Sequence, residues 1–168
     1  MLAVGTAEAI ADEPSKVALT KAAFVLNFGK YTEWPAHRFA APDSPVQLCL
    51  LRVDSDIGRA MQRIDGKNVR GREIRVHTIR PGKAVDDCHI LFVEQEAVLK
   101  HEDWMSSLAE VPVLTISDAP GFAARGGVIE LVPSDMRLGF EVNLAAAKRA
   151  ELRLGSQLLA LARIVKGK

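Results

Sequence analysis

Residues 88–116 read CHILFVEQEAVLKHEDWMSSLAEVPVLTI, and this stretch decides the fold class. It opens with a short apolar run at residues 88–93 and closes with another at residues 111–116, while residues 99–108 between them suit a helix. Short continuous apolar runs are typical of strands that are buried on both faces of a parallel sheet. The stretch therefore predicts a strand–helix–strand unit of a parallel sheet.

The same alternation extends towards the N-terminus. Residues 46–51 predict an apolar strand, residues 56–64 a helix with its apolar side chains on one face, and residues 73–79 another strand. Short apolar strands that alternate with helices favour a parallel sheet that helices cover on both faces.

After the quoted stretch the pattern changes to a hairpin. Residues 128–132 and 137–142 predict two strands, and residues 133–136 predict the turn that joins them. Together the segments predict an α/β fold. We expect a single three-layer domain with a mostly parallel central sheet, a C-terminal β-hairpin and helices on both faces.

A long helix is predicted at the start of this domain. Residues 16–33 are rich in helix-forming residues, and Trp34-Pro35 ends the run because the residue before proline avoids the α conformation. We expect this helix to be largely buried through one apolar face. That face carries Val17, Phe24, Phe28 and Tyr31.

A second long helix is predicted at the C-terminus. Asn143 is a good N-cap residue, and residues 144–165 continue as helix, with Gly155 as a position that could kink it. A buried stripe is expected along this helix. The stripe consists of Leu154, Leu158, Leu161 and Val165.

The composition excludes several classes of protein. The chain has 168 residues, of which 48% are hydrophobic and 26% are charged, and these values suit one globular domain. Its 22 basic and 21 acidic residues give a net charge of +1, so no nucleic-acid partner is indicated. No stretch approaches the roughly 18 consecutive apolar residues of a membrane span.

Residues 1–15 leave two alternatives open. Ala7-Glu8-Ala9 fits the small-x-small pattern of a signal-peptidase site, but the basic start and long apolar run of a full signal peptide are missing. Residues 1–15 are therefore either the remnant of a signal peptide or a disordered N-terminus. The folded domain is expected to span residues 16–168.

The sequence offers no arrangement that is typical of an enzyme. Asp54 and Asp56 follow the first apolar strand, as in receiver domains, but a receiver also needs an aspartate where this chain has Glu94. The four histidines are scattered, and no serine lies in a G-x-S-x-G motif. Because no nucleophile, base and oxyanion donor come together, we expect no catalytic residue, no metal site and no cofactor.

The two cysteines, Cys49 and Cys88, leave another choice open. They lack the C-x-x-C spacing of redox motifs and zinc knuckles. An even number of cysteines in an exported protein suggests a disulfide. Two buried free thiols are the alternative, because free cysteine packs like a small apolar residue.

Four blocks of the sequence resemble, in order and spacing, the YfiR family. They cover residues from about 16 to 165, and four blocks in order are more specific than any one alone. Glu130 departs from the pattern, because an asparagine is expected there. The blocks are Lys21-Ala22-Ala23-Phe24 through Asn27-Phe28 to Glu33-Trp34-Pro35; Cys88-His89-Ile90-Leu91-Phe92; Val113-Leu114-Thr115-Ile116-Ser117-Asp118 with Phe122-Ala123 and Gly126-Gly127; and Phe140-Glu141-Val142-Asn143-Leu144 with Ala146-Ala147 and Leu158-Leu159.

The resemblance implies a regulatory protein of the periplasm. Members of the best-known type repress a membrane-bound diguanylate cyclase of the inner membrane by binding its periplasmic part, which lowers cyclic di-GMP and biofilm formation. An outer-membrane lipoprotein can sequester them. Independently of the resemblance, a second copy of the chain is a further candidate partner. The resemblance also implies a Cys49–Cys88 disulfide, and it favours the signal-peptide interpretation of residues 1–15.

We expect partner contacts at the turn 122–127 and in the strand that follows it. Glu130 is a polar residue in an otherwise apolar strand, so this strand could lie at a sheet edge, where unpaired backbone groups can bind a second chain. An ordinary half-buried hairpin strand after a tight turn is the alternative. The candidate contact residues are Phe122, Arg125, Gly126, Gly127 and Glu130.

A second hypothesis for the function is a small-molecule sensor. Ligands of open α/β sheets bind at the carboxyl ends of the parallel strands, so the ligand of such a sensor is expected at that edge.

Overall fold

The computed structural model describes residue 5 and residues 13–166, so most of the N-terminal segment 1–15 lies outside the described residues. The elements follow one another from α1 to β10, with a short 3-10 helix at Ala36–Arg38. In chain order they are α1 (Lys16–Lys30), β1 (Thr32–Glu33), β2 (Val46–Leu50), α2 (Asp56–Gln62), β3 (Asn68–Val69), β4 (Arg72–Thr78), β5 (Ile90–Val93), α3 (Gln95–Lys100), α4 (Glu102–Ser107), β6 (Leu114–Ser117), β7 (Ile129–Ser134), β8 (Arg137–Asn143), α5 (Leu144–Arg149), β9 (Arg153–Leu154), α6 (Ser156–Leu161) and β10 (Arg163–Val165).

Eight strands form one central sheet in the order β10-β8-β7-β6-β5-β2-β4-β3. Neighbouring strands are parallel except in the β7–β8 hairpin and the β3–β4 pair. Strands β1 and β9 form a separate antiparallel pair. The predicted α/β class with a mostly parallel sheet and a C-terminal hairpin is confirmed.

The core lies on both faces of this sheet, because successive side chains of a strand point to opposite faces. One face carries Leu48, Ile90 and Leu114, which are register partners, and it packs against α1 and α2. The other face carries Leu91 and Val93 and packs against α3, α4 and the two cysteines. The continuous apolar runs therefore arise from strands that are buried on both faces.

The first helix buries a different face from the one expected. Its N-cap is Ser15, whose side chain accepts a hydrogen bond from the Ala18 N–H, and it ends at Lys30 rather than at residue 33. Val17 is 62% exposed and Tyr31 is 38% exposed, so the predicted face is wrong at both ends, whereas Phe28 is buried as expected. Small residues are buried instead, because they let the helix approach its neighbours closely. The buried residues are Ala18, Ala22, Val25, Phe28 and Gly29.

The predicted helices after residue 95 are shorter than expected. The helix expected at residues 99–108 is two helices, α3 and α4, that meet at His101. The C-terminal helix also stops early, because Glu151 has a φ of 58° and the Leu152 N–H donates to the Ala147 carbonyl, which is a Schellman ending. The predicted stripe is therefore wrong, since Leu161 is 79% exposed while Leu158 is buried.

Candidate functional site

The turn between β6 and β7 is the candidate site that the sequence predicts. Of the predicted contact residues, Phe122, Gly127 and Glu130 are buried, Gly126 is half-buried and Arg125 is exposed. The structure therefore brings the five residues together but presents chiefly Arg125 to solvent.

The paired glycines shape this turn for two different reasons. Gly126 has a φ of 113°, which is in the region that side chains rarely adopt. A Cβ added to Gly127 would lie 2.1 Å from Cε1 of Phe122, so the ring packs directly on the glycine backbone. The Gly127 N–H donates to the Phe122 carbonyl at 3.0 Å and closes the turn.

Glu130 is a buried structural acceptor rather than an exposed edge residue. The expectation of an edge strand is wrong, because β7 lies between β6 and β8 and its backbone is paired on both sides. Glu130 is only 6% exposed, and its Oε1 accepts a hydrogen bond from the Ala123 N–H at 3.0 Å. A polar residue in an apolar strand here satisfies a buried backbone donor.

Asn143 completes this arrangement from the end of β8. It is fully buried, and its Nδ2 donates to the Ala123 carbonyl at 2.7 Å. Its Oδ1 accepts from the Ala146 N–H at 2.9 Å, which is the N-cap bond that the sequence predicts for α5. Glu130 and Asn143 together bind both backbone groups of Ala123, and we call these three residues the Ala123 clamp.

Sequence reasoning gave Asn143 only the role of an N-cap. From the sequence, Asn143 is recognisable only as a helix N-cap. Its hydrogen bond to Ala123, which is 20 residues away, becomes apparent only in the structure.

The Arg125 side chain is exposed but held in place. Its Nε and Nη2 donate to the carbonyls of Gly121 and Pro120, both at 3.3 Å. Its Nη1 lies 3.7 Å from Oε1 of Glu102, at the start of α4. The guanidinium is therefore held at the surface of the turn, and the Ala123 clamp holds the backbone of the same turn on its buried side.

A cavity of about 280 Å³ lies beside this turn, between α4 and α5. Polar and apolar groups line it in nearly equal proportion, and the apolar ones include Met105 from α4, Phe122 from the turn and Ala146 from α5. Glu102 and Arg125, which form an ion pair, also line it.

Cys49 and Cys88 form a disulfide, as the family resemblance implies. Cys49 lies in β2 and Cys88 just before β5, and these two strands are neighbours in the sheet. Both residues are buried. Nε2 of His77, the register partner of Cys49 on β4, lies 3.1 Å from Sγ of Cys49.

His89 is neutral and buried beside the 3-10 helix. Its Nδ1 accepts from the Gln47 N–H, so the proton is on Nε2, which donates to the Arg38 carbonyl at 3.0 Å. The ring stacks on Phe39 at 4.4 Å. Burial lowers the pKa of His89 below its usual value, because the charged form would lose its hydration.

Nearly the whole domain matches one protein family. The sequence profile of the family described as YfiR/HmsC-like matches residues 19–163. The chain belongs to the YfiR/HmsC-like family. No curated protein matches the chain.

The YfiR/HmsC-like family is regulatory rather than catalytic, and it is periplasmic. In general terms, membership implies a periplasmic regulator of diguanylate cyclase activity. In the part of the chain that the structure describes, no helix is long and apolar enough to cross a membrane.

Residues that carry the YfiR/HmsC-like resemblance tie the segments of the domain together. Lys21 in α1 pairs with Asp118 after β6, with 2.8 Å between Nζ and Oδ2. The Trp34 indole N–H donates to the His89 carbonyl at 2.8 Å. With the contacts of Asn143, these bonds connect all four blocks, so much of the resemblance reflects folding rather than partner recognition.

A second cleft, of about 510 Å³, lies at the carboxyl ends of β2 and β5. The chain leaves β2 towards β4 on one side and returns to β5 on the other, so this is the point where the strand order reverses. Glu94 lines the cleft and accepts a hydrogen bond from the Ser55 hydroxyl at 3.0 Å. Burial raises the pKa of Glu94 above its usual range.

The acidic pair after β2 does not form a receiver site. The Ser15 side chain and backbone donate to the Asp56 carboxylate, and these bonds lower its pKa. Asp54 pairs with Arg52 at 3.1 Å. Asp56 lies in the first turn of α2, where the sequence places a helix N-terminal acid.

Proposed function

We propose that this protein is a periplasmic regulator that binds the periplasmic part of a membrane-bound diguanylate cyclase and holds it inactive. Membership of the YfiR/HmsC-like family over residues 19–163 is the observation that carries this proposal. The bound protein keeps the cyclase in its inactive arrangement, and release allows cyclic di-GMP synthesis. A coupling free energy of about 1–3 kcal/mol between binding and the inactive state is enough for such control.

The geometry supports the β6–β7 turn as a contact surface. Binding residues are often found on loops that a rigid scaffold positions. The Ala123 clamp fixes this turn from below, and the turn presents the Arg125 guanidinium. An exposed arginine that is already held in place can bind a carboxylate with little loss of side-chain freedom. The partner surface opposite Arg125 is therefore expected to be acidic.

An outer-membrane lipoprotein is proposed as a second partner, which sequesters the protein away from the cyclase. A second copy of the chain is the third candidate. Competition between lipoprotein and cyclase for one surface would convert lipoprotein binding into cyclase activation.

Binding of Arg125→Glu to the purified periplasmic part of the cyclase tests the surface. We expect the dissociation constant to rise at least about tenfold, because the substitution replaces an attractive charge with a repulsive one. Arg137→Glu is the matched control. It changes the charge by the same amount, and Arg137 lies at the other end of the β7–β8 hairpin.

The outcomes separate the contact surface from the function. If Arg125→Glu binds as tightly as the wild type and keeps its circular dichroism spectrum, the turn is not the contact surface. If the wild-type protein binds no cyclase part at all, the proposed partner is wrong.

A small-molecule sensor is the second candidate function, and the cleft at the carboxyl ends of β2 and β5 favours it. Open α/β sheets bind ligands where the strand order reverses, and this cleft lies at that point. Native mass spectrometry of protein purified from its own periplasm tests the idea. A copurified small molecule that Glu94→Gln releases supports a sensor, and its absence from repeated preparations contradicts one.

A further inference from the structure

Three side chains with metal-ligating atoms converge where β2, β4 and β5 lie side by side. Their ligand atoms are the sulfurs of Cys49 and Cys88 and a ring nitrogen of His77, and all three lie within 4.8 Å of one another. Cys49 and His77 are register partners on adjacent parallel strands, so the sheet backbone sets their separation. Sites built on strands are positioned more accurately than sites built on loops.

The separation of these atoms suits one tetrahedral ion. A zinc ion with Zn–S bonds of about 2.3 Å and a Zn–N bond of about 2.0 Å holds its ligand atoms roughly 3.5–3.8 Å apart. The His77 nitrogen is already 3.1 Å from the Cys49 sulfur. Small side-chain rotations therefore suffice to form the site once the two sulfurs are no longer bonded to each other.

We propose that the reduced form of this protein binds one thiophilic cation of the Zn²⁺ type through Cys49, Cys88 and His77, with water as the fourth ligand. Two thiolates and one imidazole form a donor set that zinc prefers. The disulfide and the metal site exclude each other, because each requires both sulfurs. The same three residues thus give a covalent link under oxidising conditions and a metal link under reducing ones.

The chemistry balances with a dithiol as the reductant. The dithiol supplies two electrons and two protons, its own sulfurs join as a disulfide, and the Cys49–Cys88 bond opens to two thiols. Metal binding then releases the two thiol protons to solvent, because the thiolate is the ligand. His77 donates the lone pair of its Nε2 to the ion.

Zinc titration of the full chain tests the proposal. The protein is reduced with a dithiol, and the dithiol is then removed in the absence of oxygen. The reduced protein and, separately, the oxidised protein compete with a chromophoric chelator for Zn²⁺. We expect one equivalent bound by the reduced form and none by the oxidised form. With Co²⁺ as a probe, the reduced form alone shows thiolate-to-cobalt charge transfer in the near ultraviolet.

Histidine variants give the matched comparison. His77→Ala should weaken zinc binding at least tenfold, because even partners outside the ligand shell are worth about 10–100-fold in affinity. His37→Ala, at an exposed histidine in the 3-10 helix, should leave it unchanged. The melting temperature of each oxidised variant reports whether it folds, independently of the metal.

Each of the following outcomes overturns the proposal. They are zinc binding of equal strength by the oxidised protein, no binding by the reduced protein, and His77→Ala that binds like the wild type. Should the reduced protein unfold without metal, stoichiometric Zn²⁺ must restore its circular dichroism spectrum, and failure to do so also overturns it.

Discussion

Two regions on the same face of the sheet are stabilised by different kinds of bond: the β2–β5 pair by a disulfide, and the strands β6 to β8 by buried hydrogen bonds. Cys49 on β2 and Glu130 on β7 point to this one face, since the register from Cys49 through Thr115 to Ser117 and Glu130 keeps the alternation. A disulfide joins Cys49 of β2 to Cys88 just before β5, and the buried hydrogen bonds of the Ala123 clamp join the β6–β7 turn to β7 and β8. The family resemblance implies the disulfide, whereas nothing in the sequence indicates the hydrogen bonds of the Ala123 clamp.

Removal of the disulfide should have the largest effect on stability. Cys49→Ala with Cys88→Ala opens a loop with a sequence separation of 39 residues. The chain-entropy model gives a loss of roughly 4 kcal/mol in the free energy of unfolding for such a loop. Urea denaturation of the oxidised wild type and the double variant measures this loss. A loss below about 1 kcal/mol would mean that the β2–β5 end does not depend on its covalent link.

Removal of the Asn143 side chain should have the second-largest effect. Asn143→Ala deletes the N-cap bond of α5 and the buried bond to the Ala123 carbonyl, which keeps only its bond from the Gly126 N–H. A lost cap costs about 1 kcal/mol and a lost buried hydrogen bond about 0.5–1.5 kcal/mol, so we expect a loss of roughly 1.5–2.5 kcal/mol. Asn27→Ala, at an exposed asparagine of α1, is the control and should change stability by less than about 0.5 kcal/mol. Equal losses for the two variants would refute the clamp.

Glu130→Gln should have a smaller effect than either, because glutamine keeps the shape and one acceptor oxygen. The bond from the Ala123 N–H then has a neutral acceptor, which costs about 1 kcal/mol relative to a carboxylate. Glu141→Gln is the control, since Glu141 is the register partner of Glu130 on β8 and is not part of the clamp. Chemical denaturation gives the free energy of unfolding of both variants. A larger loss of stability in Glu141→Gln than in Glu130→Gln would count against the role of Glu130.

The fold class could be predicted because its signals are local. The apolar runs in residues 88–116 mark strands that are buried on both faces, and the hairpin has a clear turn between two short strands. The end of the helix that follows Asn143 could not be predicted from the sequence, because its Schellman ending has Glu151 at a φ of 58° where glycine is usual. The face of α1 was missed because close packing buried Ala18 and Ala22 instead of the larger Val17.

The candidate site could be predicted only in part, because its parts meet through tertiary contacts. The turn was located from its glycines, and the disulfide from the family resemblance. The role of Glu130 could not be read from the sequence, since an acid among apolar residues fits an exposed edge and a buried acceptor equally well. Sequence spacing likewise gives no sign that His77 lies beside Cys49.

We expect the smallest effect from pH, through His89. Burial lowers the pKa of His89 in the folded protein, so between that value and the unfolded value of about 6.5 the unfolded chain binds more protons. The free energy of unfolding should therefore decrease as the pH falls below about 6.5. His89→Gln should flatten this dependence and His37→Ala should not, as urea denaturation between pH 5 and pH 8 would show. If the free energy of unfolding of His89→Gln depends on pH as steeply as that of the wild type, His89 is not the origin of the dependence.

The cellular level of cyclic di-GMP tests the proposed function most directly. The measurement compares a strain that lacks the gene with the same strain carrying the wild type, Arg125→Glu or Arg137→Glu. We predict that deletion raises cyclic di-GMP, that the wild type and Arg137→Glu restore the lower level, and that Arg125→Glu does not. An unchanged level after deletion would contradict a repressor of a diguanylate cyclase.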